Sequence, residues 1–216
     1  MRVGIVGSGL MGGKLGTLFA RAGHEVVFSY SHSERKLNAL AREAGKNARA
    51  GTPAEAARNA DAILFAVHWS RFDDVLSQAG DLSGKVVVTC SLPMNDGDTG
   101  LVVGLTSSGA EELARKTRGA QVVCAFTTVP SELLFSVYEA RSSSPRPSLV
   151  YCGDDARGKK VAATLIRDVG FEPVDAGPLR IARYTEPFGL LIGELAYGGR
   201  AGPELAYRFV RFREQG

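Results

Sequence analysis

Short apolar runs along the chain alternate with segments whose apolar residues recur every three or four positions. The runs predict buried strands and the longer spacing predicts amphipathic helices. The unbroken run at residues 61–67, DAILFAV, is typical of a central parallel strand covered on both faces. Strands are predicted at residues 2–6, 25–29, 47–50, 61–67, 85–91, 121–126, 148–152 and 172–175, and helices at residues 14–22, 33–44, 53 onward, 70–79, 108–117, 130–140, 154–169 and 179–197.

Polar residues mark where several of these helices begin. Thr52 and Glu55 form a capping box with a proline between them, and Ser108 with Glu111 forms a second one. Asp154 is predicted to cap the helix that follows it. Residues 92–107 form a long polar loop without a clear period, which favours a functional role, and residues 142–147, SSSPRP, are predicted to be an exposed loop.

The turn after the first strand, Gly7-Ser8-Gly9-Leu10-Met11-Gly12, carries the strongest chemical signal. A strand, a G-x-G-x-x-G turn and a helix together are typical of a dinucleotide site. The first glycine allows the tight turn, the second lets a pyrophosphate approach, and the third lets helix and strand pack closely. The N–H groups of the helix start would bind the anion.

The strict alternation of strands and helices predicts an α/β fold. We expect a doubly wound, mostly parallel sheet of the Rossmann NAD(P)-binding type with a small C-terminal α/β extension. Residues 1–126 are predicted to be the dinucleotide-binding domain, and residues 127–216 a smaller part that completes the sheet. In such sheets the ligand lies at the carboxyl ends of the strands.

The end of the second strand indicates which dinucleotide binds. NAD-binding domains place an acidic residue about 20 positions after the glycines, and no carboxylate ends this strand. Hydroxyl and basic groups follow it instead, which suits a 2′-phosphate. We therefore predict NADP(H), with Ser31, His32, Arg35 and Lys36 near the phosphate. An ordinary solvated helix start that carries basic residues remains the alternative. Glu34 would argue against NADP(H) if it faced the ribose.

Residues after the fourth, fifth and sixth strands should surround the nicotinamide and its hydride acceptor. His68 is placed for acid–base work, although a lone histidine here is more often a wall residue. Trp69 could stack on a flat ring or simply cover the strand. No residue stands out as a firm catalytic group. Cofactor contacts are predicted for Val67, His68, Trp69, Ser91, Leu92 and Pro93, and a substrate pocket for Thr127, Thr128, Val129 and Pro130, with His68 and Thr127 lining the hydride-transfer site.

Composition narrows the function classes further. The chain has 216 residues, 44% of them hydrophobic and 23% charged, which is ordinary for a globular protein. Its net charge is +3, and no basic cluster is interleaved with aromatic residues, which disfavours nucleic-acid binding. No apolar run reaches the length of a membrane span, and a strand rather than a signal peptide is predicted from residue 2.

The cysteines, Cys90, Cys124 and Cys152, lie in apolar runs at spacings that match no metal motif. They are predicted to be buried free thiols, so a reducing, cytoplasmic location is expected and no metal site is.

Several longer segments together resemble a known family, the NADPH-dependent deazaflavin-coenzyme oxidoreductases. The chain is similar to NADPH:8-hydroxy-5-deazaflavin oxidoreductases and to the NADP-binding domain of pyrroline-5-carboxylate reductases. The segments are GSGLMGGKLG at residues 7–16, AVHW at 66–69, SSGAEELA at 107–114, VVCAFTTVP at 122–130, YCGDD at 151–155 and GFEPVDAGPL at 170–179.

The resemblance implies a homodimer that exchanges hydride between NADP(H) and a deazaflavin or flavin in a cleft between the two parts of the chain. The C-terminal part would then contribute to the acceptor cleft and the dimer interface. Thr127 departs from the pattern, since the deazaflavin reductases have a histidine before the Thr-x-Pro element.

Two alternatives remain open. One is an NADP-dependent reductase of a small imine or carbonyl compound, with Tyr184, Glu186 or His68 donating a proton. The other is a non-catalytic NADP-binding sensor.

Overall fold

A computed structural model describes residues 1–31, 33–200 and 202–212 of the chain. Strands and helices alternate through this part of the sequence. The strands are β1 (Arg2–Val6), β2 (Glu25–Ser29), β3 (Ala48–Ala50), β4 (Ala62–Phe65), β5 (Val86–Thr89), β6 (Gln121–Ala125), β7 (Ser148–Gly153) and β8 (Glu172–Asp175). The helices are α1 (Leu10–Arg21), α2 (Glu34–Ala44), α3 (Pro53–Arg58), α4 (Phe72–Ala79), α5 (Gly109–Lys116), α6 (Leu133–Glu139), α7 (Ala156–Asp168) and α8 (Ala182–Tyr197), with 3₁₀ turns at Trp69–Arg71 and Leu179–Ile181.

The strands form one sheet in the order β3-β2-β1-β4-β5-β6-β7-β8. Every neighbouring pair is parallel except β6 and β7, which are antiparallel. The predicted fold class, a doubly wound and mostly parallel α/β sheet, is confirmed. The strand order reverses between β1 and β4, so the loops after these two strands meet at the switch point where such folds bind ligands.

Helices cover both faces of the sheet because its central strands are apolar on both sides. All four residues of β4 and of β5 are buried. One core lies between the sheet and helices α1, α2, α6 and α7, and includes Leu15, Phe19 and Ile166. The other packs α3, α4, α5 and the start of α8 on the opposite face, around Phe65 and Leu113. Burial on both faces explains why these strands read as continuous apolar runs.

Three local expectations need correction. Helix α1 begins at Leu10 rather than at residue 14, because the glycine turn leads directly into its first turn. The cap of α7 is Asp155, whose Oδ1 accepts from the Gly158 N–H at 2.7 Å, whereas Asp154 accepts from the Leu179 N–H at 2.9 Å.

The capping box at Ser108 is only half formed. Ser108 Oγ accepts from the Glu111 N–H at 3.2 Å, but the Glu111 carboxylate accepts two hydrogen bonds from Arg183. The box at Thr52 and Glu55 is complete, as predicted. The predicted boundary between residues 126 and 127 stays a prediction, and both parts contribute strands to the same sheet.

Candidate active site

The glycines of the first turn differ in what surrounds them. Gly7 has φ +105°, and a Cβ there would lie 2.3 Å from the Ala66 carbonyl oxygen. A Cβ on Gly12 would lie 1.8 Å from the Gly7 carbonyl oxygen. No atom lies within 4 Å of the place a Cβ would take on Gly9. Packing therefore requires Gly7 and Gly12, while Gly9 faces open space that a ligand can approach.

The N–H groups of this turn fall into two sets. Those of Gly7 and Ser8 donate to the carbonyl oxygens of Ser29 and Tyr30 at 3.2 and 3.1 Å. The first bond within α1 is donated by Gly13 to Gly9 at 2.9 Å. Helix geometry leaves the N–H groups of Leu10, Met11 and Gly12 without an acceptor inside the helix. Gly7 and Ser8 thus hold the turn to β2, and the next three residues offer donors to an anion.

A cavity of about 570 Å³ lies over this turn, and we call it the nucleotide cavity. It contains seven of the predicted cofactor residues together with several that the sequence did not single out. Its lining is Gly7, Ser8, Gly9, Tyr30, Ser31, Lys36, Ala66, Val67, His68, Ser70, Arg71, Asp74, Asp96 and Asp98.

The basic groups of the nucleotide cavity are Lys36 and Arg71. Arg35 is exposed and is not among the described lining residues, and His32 lies outside the described part of the chain. Arg71 was missed because it reads as an ordinary helix residue. It ends the 3₁₀ turn between β4 and α4, and only the folding of that turn brings it to the cavity.

Tyr30 stands between these groups with φ +56°. Its hydroxyl donates to Asp74 at 2.5 Å. Burial and the Asp74 carboxylate raise the pKa of Tyr30 to about 12, so the hydroxyl stays protonated and remains a donor. The hydrogen bond fixes the tyrosine ring against the start of α4.

His68 links the end of β4 to the long loop at residues 92–107. The Ser70 N–H donates to its Nδ1 at 3.3 Å, so the ring hydrogen is on Nε2, which lies 3.2 Å from Asp98 Oδ1. The ring therefore fastens the loop across the nucleotide cavity. Trp69 packs against Phe72 with ring centroids 4.6 Å apart, and it is not among the residues that line either cavity.

A second cavity of about 420 Å³ adjoins the first, and we call it the acceptor cavity. Leu92, Thr127, Val129 and Pro130 line it, as does Cys90, whose pKa burial raises to about 12, so that the thiol stays neutral. The full lining is Leu10, Met11, Cys90, Leu92, Asp98, Phe126, Thr127, Val129, Pro130, Ser131, Gly189, Ile192, Gly193 and Tyr197.

Other predicted residues support these walls without lining them. Thr128 is buried, and its Oγ1 lies 2.7 Å from the Tyr207 hydroxyl. Ser91 Oγ accepts from the Val67 N–H at 3.1 Å and donates to the Phe65 carbonyl at 3.3 Å, which ties the ends of β4 and β5 together. Pro93 packs against Gly109 at the start of α5.

Helix α8 closes the acceptor cavity. The resemblance implied only that the C-terminal part contributes to an acceptor cleft, and Gly189 was not singled out. A Cβ on Gly189 would lie 2.3 Å from the Thr127 carbonyl oxygen, so a glycine is needed for α8 to approach the end of β6. At the rim Lys14 Nζ donates to Ser131 Oγ at 3.0 Å, and the Tyr197 hydroxyl donates to Glu132 at 2.7 Å. Burial, with Glu132, raises the pKa of Tyr197 to about 12.

The two cavities meet at the switch point of the sheet. Asp98 lines both of them. Gly9 lines the nucleotide cavity, and the next residue, Leu10, lines the acceptor cavity. Two ring systems bound in the two cavities would therefore approach each other beside the start of α1.

Residues 2–93 match the model of the family described as NADP oxidoreductase, coenzyme F420-dependent. This region of the chain is similar to that family. F420 is a deazaflavin coenzyme, so the predicted family resemblance is confirmed. The coarser functional prediction, an oxidoreductase of an NADP-dependent family, is confirmed with it.

Metalloreductase STEAP3 of Rattus norvegicus is 28% identical over 189 residues, which are 88% of this chain and 36% of that protein. The chain thus spans about a third of the length of this curated relative.

Two solved structures share the fold. One is the crystal structure of a proposed F420-dependent NADP-reductase of Arthrobacter sp. FB24, 23% identical, with a TM-score of 0.85 over 98% of this chain and 100% of that chain. The other is a reductive aminase of Aspergillus terreus in complex with NADPH and ethyl-5-oxohexanoate, 19% identical, with a TM-score of 0.65 over 90% of this chain and 61% of that chain. At these identities the likeness concerns the fold alone.

Three or more histidine, cysteine or acidic side chains do not come together as a metal site anywhere in residues 1–31, 33–200 and 202–212. Within the same ranges, helices long and apolar enough to cross a membrane are absent.

Proposed function

We propose that the protein transfers hydride between NADP(H) and a flat deazaflavin or flavin acceptor. The observation that carries this proposal is the pair of adjoining cavities at the carboxyl end of the sheet. One lies over a glycine turn with free helix N–H groups, and the other is a mainly apolar slot. When bound, NADPH supplies the hydride, and the acceptor takes it together with a proton from water.

The nucleotide cavity fits NADP(H) at two points. The open side of Gly9 and the N–H groups of Leu10 to Gly12 suit a pyrophosphate. Ser31, Lys36 and Arg71 offer a hydroxyl and two cations to a 2′-phosphate. Asp74, Asp96 and Asp98 also line this cavity. The Asp74 carboxylate accepts the Tyr30 hydroxyl hydrogen, and Asp98 lies 3.2 Å from His68 Nε2.

The acceptor cavity favours a flat ring over a substrate that needs a proton donor. Tyr184 is 60% exposed and does not line the cavity. Both oxygens of Glu186 accept backbone hydrogen bonds from α5, and the Nε2 hydrogen of His68 is directed to Asp98. The three predicted donors are thus engaged or directed elsewhere. A flat redox ring needs alignment within about 3–3.5 Å more than it needs an acid.

An absorbance assay tests the acceptor. Protein, NADPH and a deazaflavin are mixed, and we expect the deazaflavin absorbance to bleach as NADPH is oxidised. Parallel reactions contain a free flavin or a cyclic imine. NADPH oxidation with the imine alone would support the imine reductase, and tight NADPH binding without any turnover would support the sensor. Either result would overturn the proposed acceptor.

The adjacent residues Arg35 and Lys36 provide a matched test of whether the protein prefers NADPH over NADH. We expect Lys36→Ala to weaken NADPH binding about tenfold or more while NADH binding changes little, because one charge-assisted phosphate contact is lost. Arg35→Ala removes the same charge one residue away, outside the cavity lining, and should change NADPH affinity by less than about threefold. Equal affinities of the unmodified protein for NADPH and NADH would contradict the assignment.

We also propose that the protein is a homodimer. The exposed side of α8 carries Leu191 and Leu195, which are 52% and 59% exposed. Light scattering of the purified protein at several concentrations tests this, and a single monomer mass at all of them would contradict it.

A further inference from the structure

A third concavity of about 450 Å³ lies far from both cavities of the active site, where α1, α6 and α7 end. We call it the arginine cavity. Arg21, Arg141, Arg146 and Arg167 line it, together with Tyr138 and Ser142. Arg146 and Ser142 come from the loop at residues 142–147, which has no role in the proposed hydride transfer.

Helix α1 separates this place from the nucleotide cavity. Gly9 precedes its first residue, and Arg21 is its last. Twelve residues at 1.5 Å each put the two ends about 18 Å apart. A ligand in the arginine cavity would therefore be distinct from the dinucleotide.

The arginine side chains are held without carboxylate partners. Arg141 Nη1 donates to the Tyr138 carbonyl at 2.8 Å, and its guanidinium lies 4.1 Å from the centre of the Tyr138 ring. The Arg21 guanidinium lies 5.2 Å from the centre of the Phe135 ring. In the described part of the chain none of the four arginines forms an ion pair. Asp168, which also lines the cavity, lies 2.9 Å from His24, but burial lowers the pKa of His24, so Asp168 keeps its negative charge and offsets one of the four cations.

Helix dipoles account for part of this arrangement. Arg21 and Arg167 lie in the last turns of α1 and α7, where a cation stabilises the carbonyl end of a helix. That effect does not explain Arg141 and Arg146, which follow α6 and approach the same space. Four cations against the single carboxylate of Asp168 leave an excess of positive charge around one concavity, which a bound anion would offset.

We propose that the arginine cavity binds a small polyanion carrying two or more phosphate or carboxylate groups. A guanidinium group can bind a phosphate or a carboxylate through two parallel hydrogen bonds. The stacking of Arg141 on Tyr138 holds the Arg141 guanidinium in place before the ligand binds. The cavity is concave and of the size that holds a small ligand, which favours a metabolite over a flat macromolecular surface.

Calorimetric titration with inorganic tripolyphosphate tests this site. The full chain is first saturated with NADP⁺, so that the nucleotide cavity is filled. We expect one tripolyphosphate per chain. The double variant Arg146→Ala/Arg167→Ala should weaken binding at least about tenfold, because two of the four cations are gone.

The matched control is Arg42→Ala/Arg118→Ala. It removes the same charge from exposed positions that do not line the arginine cavity, and it should bind tripolyphosphate within about threefold of the unmodified protein. Thermal unfolding of both variants checks that they fold. No binding to the unmodified protein, or an equal loss in the two double variants, would overturn the proposal.

Discussion

The nucleotide cavity and the acceptor cavity share one edge of the sheet, but they are built differently. The first is shaped mainly by backbone: a left-handed glycine, an open Gly9 and the helix start. The second is assembled from side chains far apart in the sequence, from Leu10 through Thr127 to Tyr197. A cavity made of backbone leaves a short motif in the sequence, whereas one made by distant elements leaves none. The sequence therefore indicates the first cavity by its motif, but it indicates only the segment at residues 127–130 of the second.

The largest loss of stability should come from a substitution of Gly12, which is tightly packed in the first turn. We expect Gly12→Ala to lower the free energy of unfolding by about 3 kcal/mol, because its Cβ would lie 1.8 Å from the Gly7 carbonyl oxygen. Urea denaturation measures the loss. Gly9→Ala should cost less than about 1 kcal/mol and still weaken NADPH binding, since its methyl group enters the ligand's space. If both variants lose stability equally, the distinction between packing and ligand-facing glycines is wrong.

A substitution of Gly189 tests whether the close approach of α8 to the end of β6 shapes the acceptor cavity. A methyl group there would meet the Thr127 carbonyl at 2.3 Å and displace α8 from the end of β6. We expect Gly189→Ala to raise the KM for the acceptor about tenfold, while the Kd for NADPH stays within about twofold. Gly193→Ala, on the same helix, adds a methyl group that faces the acceptor cavity but meets no atom within 4 Å, so it separates filling of the cavity from displacement of α8. A larger change in NADPH affinity than in acceptor KM would show that α8 does not act mainly on the acceptor cavity.

Glu186 should give the protein a pH-dependent stability. It is 1% exposed and accepts from the N–H groups of Gly109 and Ala110 at 2.8 and 2.9 Å, yet burial raises its pKa from 4.5 to about 7. Between these pH values the folded chain holds a proton that the unfolded chain has lost. Raising the pH through this window therefore favours unfolding, by at most about 3 kcal/mol.

Urea denaturation at pH 5, 6, 7 and 8 checks this expectation. The free energy of unfolding of Glu186→Gln should depend less steeply on pH than that of the unmodified protein, because glutamine does not titrate. The comparison uses slopes, so a uniform loss of stability in the variant does not affect it. Identical slopes would show that Glu186 is ionised throughout the range.

The smallest change in stability and in NADPH binding is expected for a substitution of Asp98, which lines both cavities. Asp98→Asn keeps a residue that tolerates the φ of +51° and removes the charge that faces His68 Nε2. The pair is exposed, so we expect a loss of about 0.5 kcal/mol and NADPH dissociation about two to three times faster. Asp96→Asn makes the same charge change in the same loop. Stopped-flow displacement of NADPH distinguishes them, and equal rates in both variants would exclude a specific role of the His68 contact.

The fold was largely predictable because its signals are local. The apolar runs at β4 and β5 and the capping box at Thr52 need only neighbouring residues to be recognised. A local signal can still be wrong by one position when two suitable residues are adjacent. Asp154 and Asp155 could each cap α7, and Asp155 does so because Asp154 accepts a hydrogen bond from the Leu179 N–H instead.

The parts of the site formed by residues close together in the sequence were easier to predict than the parts formed by distant residues. Gly7, Gly9 and Lys36 lie within one strand–helix–strand unit and its following helix, and all three line the same cavity, while their contact with a dinucleotide stays a prediction. The contact of Thr128 with Tyr207 joins residues 79 positions apart, and the approach of Gly189 to Thr127 joins two different elements. Neither has a sequence pattern, because each depends on where α8 and the chain after it pack.

The packing of Trp69 has a practical consequence for spectroscopy. It is the single tryptophan of the chain, and it begins the 3₁₀ turn that Arg71 ends, directly after His68. Its emission overlaps the absorption of reduced nicotinamide, so energy transfer would quench it when NADPH binds beside it. The protein thus contains an intrinsic optical reporter at the rim of the nucleotide cavity, and nucleotide affinities can be followed by fluorescence without attaching a dye.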